Sequence, residues 1–288
     1  MQMQESRFFV PAADGQAIET FQWSGAFVPK GAVQIVHGMA EHSRRYRHVA
    51  EALVQAGYVV YASEHRGHGE CARKSNALGD FGPRGFGGLV DDMVQVTCRV
   101  RADNPNIPVI MLAHSMGSMA AQVYMLDHAH LLDGLALSGT TAMELLDVRT
   151  SGWTLETANA TVADPATPVD WLSRDPAVPV AYIADPLCGF PLTEASMASI
   201  FDTGLRAADP KQLARIPADL PMFLFTGDCD PVNDCLRWFD PLVARLRSAG
   251  LRDVSTHVYG GARHEVLNET NRAEVIANLL AWVDRVTG

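Results

Sequence analysis

A chain of 288 residues is long enough to bury roughly 75% of its unfolded surface, so its core needs no covalent staples. A formal net charge of −10 argues against nucleic acid or an anionic bilayer as the main partner, because both reward an excess of Lys and Arg. The five cysteines form no CxxC pair and no Cys/His cluster with zinc spacing, so reduced core or loop thiols and no bound metal are expected.

The first residues, MQMQESRFFV, have neither the basic start nor the apolar stretch of a signal peptide. No run approaches the ~20 apolar residues of a membrane span, and the expectation is a soluble, cytoplasmic protein. Short apolar runs then alternate with segments of helical period. Predicted strands are 7–10, 17–23, 32–36, 58–62, 108–113, 134–138, 222–226 and 255–259. Several are unbroken blocks of Val, Ile, Leu and Met, as expected where helices cover both faces of a parallel sheet. In the predicted helix 44–56, Tyr46, Val49, Ala50, Leu53 and Val54 form one apolar stripe, and Gly57 ends it. Further helices are predicted over 86–103, 116–130, 240–249 and 271–286, the last opened by Asn271 and Glu274 in a pattern resembling a capping box. Strands followed by repeated strand–helix units imply an α/β domain with eight strands, mostly parallel.

One stretch breaks this rhythm. From 141 to 205 no strand is evident, and six prolines separate short helical pieces. Trp153, Trp171, Tyr182, Ile183 and Phe190 are too apolar for a disordered linker. The segment is read as a helical cap inserted into a core made of 1–140 and 206–288.

The chemistry begins at Ala113-His114-Ser115-Met116-Gly117, which ends a predicted strand and opens a helix. That context suits a nucleophile elbow, where the flanking Ala113 and Gly117 must be small and the helix aims its positive end at the reacting oxygen. A serine hydroxyl needs a base oriented by an acid, here expected in the chain order Ser, Asp or Glu, His. The turn Gly227-Asp228-Cys229-Asp230-Pro231-Val232 offers two candidate acids, Asp228 and Asp230. The glycine-rich loop Gly260-Gly261-Ala262-Arg263-His264-Glu265 makes His264 the candidate base. Acyl transfer also needs donors for the oxyanion. The turn after the third strand can aim the Met39 N–H toward the elbow, and Met116 supplies a second. His37, Gly38 and His114 flank these positions and are the candidate substrate contacts.

These motifs resemble the monoacylglycerol lipases and their bacterial lysophospholipase-like relatives, a group of serine aminopeptidase-like hydrolases. Residues 37–46, HGMAEHSRRY, are similar to their HGxGEHxxRY segment. Residues 64–69, EHRGHG, look like their DHRGHG, and 113–117, AHSMG, like their GHSMG. Ser173-Arg174-Asp175, Tyr182 and Asp185-Pro186-Leu187 resemble a stretch of their cap. The turns at 227–232 and 262–269 resemble those that carry their acid and histidine. The resemblance implies the α/β-hydrolase fold, Asp230 as the acid beside Ser115 and His264, and Met39 and Met116 as oxyanion donors. Glu64, Ala40 and Ala113 depart from the pattern, Ala40 within the oxyanion loop. The implied activity is a serine ester hydrolase acting on a single-chain acyl ester such as monoacylglycerol or lysophospholipid. No cofactor is implied, and membrane contact is at most transient, through the cap; the sequence is silent on oligomeric state. Thioesterase, amidase and aminopeptidase chemistry share the scaffold, and a non-catalytic binding protein is the alternative of another class.

Overall fold

The computed structural model describes residues 3–288. Its eight strands are β1 (Gln4–Pro11), β2 (Ala17–Ser24), β3 (Gly31–Val36), β4 (Tyr58–Ser63), β5 (Val109–His114), β6 (Gly134–Ser138), β7 (Met222–Gly227) and β8 (Val254–Tyr259). They form one sheet in the order β1-β2-β4-β3-β5-β6-β7-β8. The β1–β2 and β2–β4 pairs are antiparallel, and every pair from β4 to β8 is parallel. Strands β3 to β7 are buried at every residue, as their unbroken apolar sequences require between two helical layers.

Those layers are built by α1 (Arg47–Gln55), α2 (Gly69–Lys74), α3 (Gly85–Asp103), α4 (Met116–His128) and, after an insertion, α10 (Phe239–Ser248) and α11 (Arg272–Thr287). Two apolar cores result. One gathers Leu89 and Val96 of α3 with Tyr124 of α4; the other gathers Leu53 of α1 with Leu279 and Trp282 of α11. The stripe predicted over 44–56 divides into a 3-10 turn, Ser43–Tyr46, and α1, and Gly57 takes φ +97° where it ends. The capping box at Asn271 does not form. Its side chain makes no cap bond, because its amide donates to Glu274 Oε2 at 3.0 Å and its oxygen accepts from Arg174 Nη2 at 3.2 Å. Nor are there core thiols: Cys71, Cys98, Cys229 and Cys235 are exposed and Cys188 is half-buried, all unbridged.

Between β6 and β7 the chain leaves the sheet. Residues 139–221 hold no strand and fold as α5 (Met143–Leu146), α6 (Leu155–Ala158), α7 (Ala177–Ala184), α8 (Glu194–Gly204) and α9 (Pro210–Leu213) with irregular links. Polar ties fasten this segment to the sheet's loops. Tyr182 Oη and the Gly189 N–H both donate to the Ala40 carbonyl, at 2.8 and 2.9 Å. Trp153 Nε1 donates to Pro231 O at 2.9 Å, and Arg174 Nε to Glu269 Oε2 at 2.9 Å. The insertion therefore sits over the carboxyl ends of the parallel strands, where open α/β sheets place their crevice.

Candidate active site

Ser115 stands between β5 and α4 with φ 53° and ψ −122°. A side chain there costs on the order of 1–3 kcal/mol and persists only when its surroundings over-determine it. Here the Ser115 N–H donates to Ser138 O at 3.0 Å, and Ser115 O accepts from Met119 N and Ser118 Oγ at 3.1 and 2.6 Å. Gly117 is required by space. A Cβ on it would meet the His37 and Val36 carbonyl oxygens at 2.4 and 2.6 Å.

The β7 and β8 loops bring two partners to the serine. Ser115 Oγ lies 2.8 Å from His264 Nε2, and His264 Nδ1 lies 2.9 and 3.0 Å from the two Asp230 oxygens. Because a carboxylate only accepts, this pairing puts the imidazole proton on Nδ1 and leaves Nε2 free to accept from the serine. Asp230 is fully buried and also accepts from Val232 N, Thr226 Oγ1 and Asn233 Nδ2 at 2.9, 3.0 and 3.2 Å. Burial pushes the His264 pKa down, but the Asp230 charge and hydrogen bond outweigh it and the net shift is upward from 6.5. The Trp171 ring lies 5.2 Å from the imidazole. Asp228, the other candidate acid, faces away from this centre and accepts from the Gly261 N–H at 2.7 Å. It braces the loop that carries His264.

Met39 and Met116 both border the space beside Ser115. The loop bearing Met39 passes close to the elbow, since a Cβ on Gly38 would lie 3.1 Å from Ser115 Cβ. Ala40, where the resemblance has glycine, takes φ +52°, a left-handed conformation held by its carbonyl's two bonds to the insertion. Of the three candidate substrate contacts, Gly38 and His114 border the cavity. His114 is otherwise buried, with Nδ1 3.2 Å from Ser138 Oγ; burial and the neighbouring His264 push its pKa down to about 4. His37 does not reach the cavity. It is wholly buried, its Nδ1 donating to Gly38 O at 2.8 Å and its Nε2 accepting from His65 N at 3.1 Å, so it supports the loop from beneath.

The sequence reading missed the group that joins the two loops. Glu41 Oε1 accepts from Gly38 N and Tyr46 Oη at 2.5 and 2.7 Å, and Glu41 Oε2 from Arg45 Nη1 at 2.6 Å. Arg45 also makes a two-pronged pair with Glu265, at 2.6 and 2.8 Å, directly beside His264, and its guanidinium lies 5.1 Å from the Tyr182 ring. One half-buried cation thus fixes the Met39 loop relative to the His264 loop. The i,i+4 spacing of Glu41 and Arg45 was a legible signal; the partner 220 residues on was not.

A cavity of about 240 Å³ opens on Ser115 and His264, walled mainly by the insertion through Leu155, Val169, Trp171, Leu172, Phe190 and Met197. Its apolar surface far exceeds its polar surface, the polar exceptions including Glu41, Glu156 and Glu265. A recess of about 50 Å³ continues past Ser115 between Met116, Met119, Trp153, Ile200, Phe201 and Val232. No helix among the described residues is long and apolar enough to cross a membrane.

Known proteins share this architecture. The profile of the family described as "Serine aminopeptidase, S33" matches residues 28–271. A protein named monoacylglycerol lipase from Mycolicibacterium smegmatis is 32% identical over 277 residues, covering 91% of this chain and 90% of its own. Human monoglyceride lipase is 25% identical over 287 residues, covering 96% of this chain and 89% of its own. The crystal structure of a thermostable carboxyl esterase from Bacillus coagulans in complex with glycerol superposes with a TM-score of 0.89 at 29% identity, with both chains fully covered. With a family profile spanning most of its length and this sheet beneath it, the chain belongs to the serine aminopeptidase S33 family and has the α/β-hydrolase fold.

Proposed function

We propose that the protein hydrolyses carboxylic esters of a single acyl chain through an acyl-enzyme on Ser115. The observation that carries this reading is an apolar cavity ending on a serine already hydrogen-bonded to a histidine–carboxylate pair. Ser115 Oγ attacks the ester carbonyl as His264 Nε2 takes its proton, and Asp230 holds the resulting imidazolium. The Met39 and Met116 amides receive the oxyanion. His264 then returns its proton to the departing alkoxide. Water, deprotonated by the same base, attacks the acyl-enzyme, and His264 passes that proton to Ser115 Oγ as the acid departs.

In this reading the 141–205 segment acts as a cap that sets the substrate. Each buried methylene is worth ~0.8 kcal/mol, so a chain of several carbons against the Leu155, Trp171 and Phe190 wall outweighs most head-group contacts. Glu41, Glu156 and Glu265 at the same cavity disfavour an anionic head group. The substrate is therefore a short to medium single-chain ester, with monoacylglycerol ahead of lysophospholipid; the Mycolicibacterium relative's name supports this class. Val180 and Ile183, which α7 exposes at 60% and 55%, supply the transient contact with a lipid surface, in an otherwise cytoplasmic enzyme.

A hydrolysis panel tests the proposal: p-nitrophenyl esters of graded length, 1-monoacylglycerol, lysophosphatidylcholine, an acyl-CoA and an anilide. The expected order places medium single-chain esters first and the anilide last. Faster cleavage of the anilide or of peptides than of any ester would replace the proposal with an amidase or aminopeptidase.

A further inference from the structure

A second set of reactive side chains converges where the insertion meets the loop after β3. His42, Asp185 and Cys188 each bring one donor atom to within 4.8 Å of the other two. None belongs to the Ser115 centre. His42 Nε2 lies 2.9 Å from Asp185 Oδ2, while its buried Nδ1 has no hydrogen-bond partner among the described residues. The nitrogen that faces Asp185 is Nε2, so Nε2 is the imidazole's ligand atom in this cluster, at a residue only 8% exposed.

The backbone around these groups is already fixed. Asp185 Oδ1 accepts from Leu187 N at 2.8 Å, Cys188 N donates to Asp185 O at 3.0 Å, and Gly189 N donates to Ala40 O at 2.9 Å. This turn holds Asp185 and Cys188 against the loop that carries His42. The charges acting on Cys188 are those of Glu41, Asp185 and Glu265 against the single guanidinium of Arg45. Three carboxylates facing one cation suit a divalent ion.

We propose that His42, Asp185 and Cys188 bind a divalent transition metal of the zinc class, clamping the insertion to the core. Imidazole nitrogen, carboxylate oxygen and thiolate sulfur form a donor set that zinc and cobalt accept and that calcium and magnesium, which take oxygen ligands, do not. Three protein ligands leave a fourth, solvent-facing position for water. Ligand atoms around a tetrahedral zinc lie about 3.3–3.7 Å apart at ordinary bond lengths, so the widest pair closes by about 1 Å on binding. Asp185, one-third exposed at its side chain, and half-buried Cys188 have room to make that move. Binding exchanges the thiol proton for the metal–sulfur bond and releases the proton to solvent. Ligand spacing along the sequence conceals the site, because His42 and Asp185 are 143 residues apart.

The test uses the full chain, stripped with chelator and titrated with Co²⁺ alone, then with Zn²⁺ alone. One equivalent of Co²⁺ should produce a thiolate-to-cobalt absorption band in the near ultraviolet, which Zn²⁺ abolishes, and Zn²⁺ should raise the thermal midpoint. Cys188→Ala and Asp185→Asn should each weaken binding at least tenfold. Asp185→Asn carries the test at a partly exposed position, without risk to the buried His42. Absence of a stoichiometric band in the native chain, or unchanged affinity in both variants, would overturn the site.

Discussion

Asp230→Asn separates the two carboxylates of the β7 turn, and the structure dictates how the amide must sit. The Val232 N–H that meets Oδ1 is backbone and cannot turn away, so the carboxamide oxygen takes that position and its NH2 takes the place of Oδ2. There it opposes the Asn233 amide, previously 3.2 Å from Oδ2, leaving a buried donor unsatisfied at about 1–3 kcal/mol. Thr226 Oγ1 can rotate to accept. The NH2 also lies 3.0 Å from His264 Nδ1 and opposes its proton, in competition with the carboxamide oxygen at 2.9 Å; where the NH2 donates, Nδ1 becomes the acceptor and the ring proton moves to Nε2. An Nε2–H pointing at Ser115 cannot take the serine proton. Loss of the correct tautomer costs about 10⁴-fold in kcat, or ~5.4 kcal/mol at 1.36 kcal/mol per decade. Asp228→Asn keeps a carbonyl for the Gly261 N–H, so it should cost less than tenfold. Initial rates on a p-nitrophenyl ester, with circular dichroism to verify folding, read both variants. A loss below tenfold in Asp230→Asn, or a larger loss in Asp228→Asn, refutes the assignment.

Three further outcomes follow from the same geometry. His264 must be neutral to accept a proton and its pKa is held above 6.5, so kcat/KM should rise with pH through an inflection above that value; a profile that falls between about pH 6 and 8 contradicts this. Gly117→Ala drives a Cβ into two backbone carbonyls and should destabilise the fold by about 1–3 kcal/mol or more; an unchanged urea midpoint would show that the elbow can relax. Arg45→Met strands the buried carboxylates of Glu41 and Glu265 and should cost about 3–5 kcal/mol, read as a lowered denaturant midpoint, whereas a neutral result would mean that water enters the network.

What the sequence made legible was local. Strands β3 to β7 were readable because each is an apolar block, and Ser115 because strand, small residues and helix surround it within a few positions. Edge strand β1 extends beyond the predicted 7–10 because Gln4, Glu5 and Ser6 are exposed polar residues that carry no apolar strand pattern, yet they pair with β2, Glu5 and Ser6 also bonding through their side chains to Trp23 and Gln22. Helix α2 went unpredicted: its six residues carry Glu70, Arg73 and Lys74 and too short an apolar stripe to register. Asn271 carried a cap's pattern without its bond, because Arg174 and Glu274 took up its side chain. The spacing of Asp228 and Asp230 could not separate their roles, since both are turn residues and only the resemblance favoured Asp230. His37 adjoins the Met39 loop in sequence, yet its ring turns beneath the loop toward His65. The Arg45 link and the His42–Asp185–Cys188 convergence arise only when the chain folds distant segments together.

The account's central claim is that Ser115 is the nucleophile. Treating the native chain with a fluorophosphonate and mapping the adduct by peptide mass spectrometry tests it directly. The expected result is one adduct per chain, on Ser115, with parallel loss of esterase activity and no adduct in folded Ser115→Ala. An unlabelled Ser115, or a Ser115→Ala variant that keeps its activity within tenfold of the native chain, would contradict the account.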